Sequence, residues 1–155
     1  MLTTVGLTTS CTRLPSQQRW PHQMGDRVQV GWFSYTVLEL EYKSQLGDSP
    51  VAPRPKNTYI AIHLQATSSA GNTVSVPFMR LETESGDFIP EVEDASALPG
   101  WFGLFRSVEP AATESGWIVF DAAPANYGLR LSDGVLDDEK TAMVRIPLRI
   151  DAGLK

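Results

Sequence analysis

The sequence predicts an all-β protein, an antiparallel sandwich of about 7–9 strands. Three observations carry this. No segment keeps a helical apolar period of about 3.6 residues over several turns, and no helical pattern alternates with strands. Short alternating runs recur instead between clusters of Gly, Pro, Asn and Asp, at intervals of about 8–12 residues. The strongest run is Gly116-Trp117-Ile118-Val119-Phe120-Asp121-Ala122-Ala123-Pro124. Alternation sends Ile118, Phe120 and Ala122 to one face and Trp117, Val119 and Asp121 to the other. Pro124 cannot donate to a ladder and ends the run. A central strand is expected here, with Phe120 buried between two sheets and Gly116 easing the exit from a turn at Glu114-Ser115.

Taken in order, residues 1–24 carry no strand pattern and read as a tail. The folded domain is expected over 25–151, with a short tail over 152–155. Gly25-Asp26 is turn chemistry, and Arg27-Val28-Gln29-Val30 alternates as a first strand. Residues 32–42 form a longer strand whose apolar face changes, from Phe33, Tyr35 and Val37 to Leu38, Leu40 and Tyr42. A slip of one in a period of two predicts a β-bulge or a change of sheet at Val37-Leu38. Pro50, Pro53 and Pro55 make 43–56 a loop. Residues 58–67 alternate most cleanly, with Ile60, Ile62, Leu64 and Ala66 on one face and Tyr59, Ala61, His63 and Gln65 on the other. Strands at 73–76, 78–84 and 88–90 follow, the last two joined by a hairpin turn at Glu84-Ser85-Gly86-Asp87. Residues 91–105 are irregular. Leu129-Arg130-Leu131 and residues 142–150 supply the last strands, and Pro147 places the final one at an edge or a bulge.

At 155 residues and 42% hydrophobic, the chain can build one core without disulfides or a metal. Its single cysteine, Cys11, excludes an internal disulfide and a Cys-based zinc site. The net charge is −5, and between Leu81 and Glu139 thirteen acids face only Arg106 and Arg130, a local balance of −11. Such a surface argues against nucleic acid and phosphate ligands. No apolar run approaches the roughly 18 residues of a membrane span. Cys11 follows Leu7-Thr8-Thr9-Ser10, which resembles the end of a bacterial lipoprotein signal. Its basic start and most of its apolar region are missing, so that reading expects an upstream in-frame extension of about 10–20 residues. The other reading is a chance cysteine in a tail.

Gly25-Asp26, Trp32-Phe33-Ser34-Tyr35-Thr36-Val37, Tyr59-Ile60-Ala61-Ile62-His63-Leu64, Ser85-Gly86-Asp87-Phe88 and the run from Gly116 to Pro124 together resemble one family. The chain is similar to the bacterial secreted and lipid-anchored telokin-like, immunoglobulin-like domains of unknown function, relatives of a small secreted mycobacterial antigen. The resemblance covers about residues 25–150. The chain departs from it where Ala111 follows Pro110 in place of the family's glycine, and where Ala123 replaces a valine. The resemblance implies an immunoglobulin-like sandwich, an extracytoplasmic address (lipid-anchored through Cys11 or secreted), and no catalytic residues to transfer.

Catalysis finds little support in the residues. There is no Gly-x-Ser-x-Gly elbow, and the two histidines are His22 in the tail and His63 on an alternating strand. Glu82, Glu84, Glu91, Glu93 and Asp94 could pair as glycosidase carboxylates, or join Asp133, Asp137, Asp138 and Glu139 around calcium, but acid runs are usually solvated faces. His22, Met24, His63 and Met79 mix copper donors at loose spacing. No cofactor is expected. The remaining candidate is Trp101-Phe102-Gly103-Leu104-Phe105. Trp101, Phe102 and Phe105 either plug one end of the sandwich or anchor a partner. The reading that results is a non-enzymatic envelope or secreted domain, binding a protein partner or structural, touching the membrane only through a lipid on Cys11. The alternative is a calcium- or copper-dependent carrier or hydrolase.

Overall fold

The computed structural model describes Gly6 and residues 19–149. Over these residues it holds eleven strands: β1 (His22–Gln23), β2 (Arg27–Val30), β3 (Phe33–Lys43), β4 (Tyr59–Ser68), β5 (Val74–Ser75), β6 (Arg80–Glu82), β7 (Phe88–Pro90), β8 (Ser107–Val108), β9 (Thr113–Asp121), β10 (Tyr127–Ser132) and β11 (Thr141–Ile146). They form a five-stranded sheet in the order β1-β11-β10-β6-β7, a four-stranded sheet in the order β2-β3-β4-β9, and a small β5-β8 ribbon. All pairings are antiparallel except β1 with β11. The fold is an all-β sandwich. Setting aside the two-residue strands β1, β5 and β8 leaves eight, within the expected range.

The core lies between the sheets. Tyr35 and Val37 of β3, Ile60, Ile62 and Leu64 of β4, and Ile118 and Phe120 of β9 meet Leu81, Leu129, Leu131 and Val144 from the other sheet. The Tyr35 hydroxyl spans the core and donates to the Ser132 carbonyl at 2.7 Å. Burial pushes this phenol far above its ordinary pKa, so it stays a donor. The change of face in β3 is a bulge. Pairing with β4 shifts between Val37 and Glu39, and Leu38 is left outside at 43% exposure.

Four expectations change. The run from Gly116 begins at Thr113, so Glu114-Ser115 is strand rather than turn. Its strand, β9, ends its sheet instead of occupying the centre. The sequence pattern misleads because β9 is buried on both faces: Phe120 and Ile118 enter the main core, while Val119 enters a second cluster with Leu46, Tyr59, Ala61, Ala95 and Leu98. The domain begins before Gly25, since Trp20 is buried and His22–Gln23 pairs with Val144 and Arg145. The final strand stops at Ile146, before Pro147, and lies between β1 and β10, so the proline marks its end and not an edge or bulge. Cys11 lies outside the described residues.

Candidate interaction surface

Segment 91–106 runs along the free side of β9 and closes that side of the sandwich. Glu91 bridges to Phe120, the Val92 amide donates to Val119 (2.7 Å), the Trp117 amide to Gly100 (2.9 Å), and the Phe102 amide to Trp117 (2.9 Å). Gly116 makes this approach possible. A Cβ there would sit 2.5 Å from the Phe102 Cα, so its service is to closeness and not to a turn.

The segment divides the aromatic cluster. Phe102 packs against the main core and Trp101 against the second cluster, both half-buried. Leu104 and Phe105 project into solvent at 56% and 79% exposure. The three aromatics are therefore not one surface. Trp101 and Phe102 hold the segment down, and Phe105 points away from it.

Arg106 then turns back inside with φ 46°. Its Nε donates to the Gly103 carbonyl (2.8 Å), and its terminal nitrogens pair with both oxygens of Glu91, with neither side chain reaching solvent. The Met79 amide also donates to Glu91 (2.8 Å). Burial raises the Glu91 carboxyl pKa, and the Arg106 and Met79 donors only partly restore it. The guanidinium lies over Phe78 (4.2 Å to the ring centre) and Phe102 (5.6 Å). Glu91 is thus a buried ion-pair partner, where the sequence placed it among solvated loop acids. Above this pair opens a groove of about 490 Å³ bounded by Phe78, Pro90, Glu93 and Leu104. Leu104 entered the sequence reading only as part of the aromatic stretch, and neither Phe78 nor the pairing of Glu91 with Arg106 was singled out. The one available signal was Arg106 itself, one of only two bases in a strongly acidic stretch.

The other candidates disperse. Met79 is core, His63 stacks on Trp117 (4.8 Å, 16°), and His22 is in β1, so the copper donors do not converge. Glu82 pairs with Arg19, and the Asp94 carboxylate is bonded by Ser96. Asp133 accepts the Val135 and Lys140 amides, Asp138 pairs with Lys140, and Glu139 pairs with Arg130. Among the described residues no three His, Cys, Asp or Glu side chains gather as metal ligands.

No protein-family model matches the chain, and no curated protein does. Solved structures share its fold. The yjhA protein of Bacillus subtilis superposes with a TM-score of 0.58 at 12% identity, over 79% of this chain and 98% of that one. The ycdA protein of the same species, named as a candidate lipoprotein, superposes at 0.60 with 10% identity, over 81% of this chain. This chain spans 39% of ycdA. At such identities the likeness is one of fold: these are bacterial β-sandwich architectures.

Proposed function

We propose that the protein is a non-catalytic binding domain of the bacterial envelope, of the telokin-like, immunoglobulin-like kind that its sequence resembles, and that it grips a protein partner through Leu104, Phe105 and the groove beside them. One observation supports this most. Two large apolar side chains are held out in solvent on a support fixed from below by the Glu91–Arg106 pair. Exposure of this kind costs about 2 kcal/mol for each side chain left unburied, and preorganised aromatic knobs are what binding centres use. The extracytoplasmic address draws support from the Leu7-to-Cys11 pattern and from the name of ycdA.

The test for binding is Leu104→Ser with Phe105→Ser. The double variant should keep wild-type stability and lose any partner that wild type retains from envelope extract. Retention of the same partner by both would sink this reading. The test for address is phase partitioning in Triton X-114 of the protein expressed from its gene. Wild type should enter the detergent phase, and Cys11→Ala the aqueous phase.

A further inference from the structure

A second cavity lies on the outer face of the four-stranded sheet, in the crease between loop 44–58 and segment 91–106. It measures about 520 Å³, within the range of about 300–1,000 Å³ typical of small-molecule sites. Trp117 forms one wall. Its indole is fixed by the stack on His63 and by Gly100, where a Cβ would come within 3.2 Å of the ring. Leu98 and Pro99 add apolar lining, and Glu41, Lys43, Gln45 and Asp48 make the rest of the lining polar.

The crease is preformed. Leu46 is 1% exposed and roots its loop in the second cluster. Gly47 holds φ 81° against the Ala97 carbonyl, which a Cβ would meet at 2.6 Å. The Gln45 amide nitrogen donates to the Gly47 carbonyl (2.8 Å), which leaves the amide oxygen as an acceptor.

These walls select a ligand class. Among the residues that line the crease two carboxylates meet one ammonium, Lys43, which is already paired with Glu41 at 2.9 Å, so the lining itself offers an anion no unpaired cation. An apolar ligand would leave the carboxylates desolvated without partners. A ligand with one apolar face and many hydroxyl donors satisfies both the apolar and the polar lining. We propose that this crease binds a neutral saccharide, with the sugar's C–H face against Trp117 and its hydroxyls donating to Glu41, Gln45 and Asp48.

The full chain should be probed on an array of neutral and charged glycans, then titrated with the best binder by tryptophan fluorescence. Binding should be confined to neutral glycans. Asp48→Ala and Gln45→Ala should each weaken it about tenfold, the scale of one lost hydrogen bond, and Asp48→Ala should do so without changing thermal unfolding. Trp117→Phe keeps a packed ring and should weaken it as well. Leu104→Ser with Phe105→Ser should leave sugar binding intact, which separates this site from the protein-binding surface. The inference is overturned if no glycan binds, if binding survives Asp48→Ala combined with Gln45→Ala, or if spermidine binds in the crease in place of sugars.

Discussion

Ala111 holds φ at 62° in the third position of a turn that the Ala112 amide closes on the Glu109 carbonyl at 3.0 Å. Pro110 presets the second position, and the third wants a residue without a Cβ. Left-handed backbone costs alanine about 1–2 kcal/mol, while glycine would cost about 0.4–1 kcal/mol through the unfolded chain. Ala111→Gly should therefore stabilise by roughly 0.5–1 kcal/mol, read as a higher urea midpoint at unchanged m-value. Glu91 and Arg106 make a harder case. Removing one partner strands a buried charge, so Arg106→Met should cost about 3–5 kcal/mol, and Glu91→Leu added to it should recover much of that. Glu91 also carries a pH signature. Its folded-state pKa is raised, chiefly by burial, so protonation favours the folded state. The stability this adds is full below the unfolded carboxyl's pKa and is lost as pH rises through the folded value. The difference in unfolding free energy between wild type and Glu91→Gln should shrink over that rise. A flat difference would mean that Glu91 titrates as it does in the unfolded chain.

At the scale of elements, β9 and segment 91–106 act as one unit. Phe120 sits at 0% exposure in the main core, so Phe120→Ala should cost about 3–5 kcal/mol in urea melts, and Trp117→Ala, at a half-buried position, less. Gly116→Ala should cost about 1–3 kcal/mol, because its Cβ would press on the backbone of Phe102. A cost near zero would show that the segment is not clamped to β9. These elements also mark what the sequence could reveal. The bulge in β3 was legible because a slip in a two-residue period shows in Val37 and Leu38 themselves. The paired faces of β4 and the hairpin after β6 were legible for the same local reasons. The edge position of β9 was not, because a strand covered on both faces by distant segments reads like a central one. Nor was the split between Phe102 and Phe105. Which aromatic turns inward depends on Gly116 and Arg106, partners outside any local pattern. The groove and the Trp117 crease each unite residues from separate loops, so neither had a sequence signature.

For the molecule as a whole, the informative feature is where the domain begins. Trp20 is 1% exposed and lies over Gly128, where a Cβ would meet the indole nitrogen at 2.3 Å. Arg19 pairs with Glu82 and donates to the Glu84 carbonyl, and His22–Gln23 continues as the strand beside β11. Residues 19–23 therefore run as a fastening across the five-stranded sheet, from the β6–β7 hairpin to the β11 side. Reading Gly25 as the boundary overlooks this, because a lone Trp between Arg19 and Pro21 has no periodicity to report it. Two truncated chains settle the point. One starting at Gly25 loses the Trp20 contacts and the β1 ladder, which should cost about 3–5 kcal/mol, the scale of deleting a buried aromatic. In a domain of this size that lowers the melting temperature by roughly 10 °C or more. One starting at Arg19 keeps the fastening and should melt clearly above the first. Gly128→Val in the full chain should reproduce the shorter truncation's loss by evicting Trp20, with tryptophan fluorescence shifting to the red. Equal melting of the two truncations would show that residues 19–24 rest on the domain without supporting it, and would restore the boundary at Gly25.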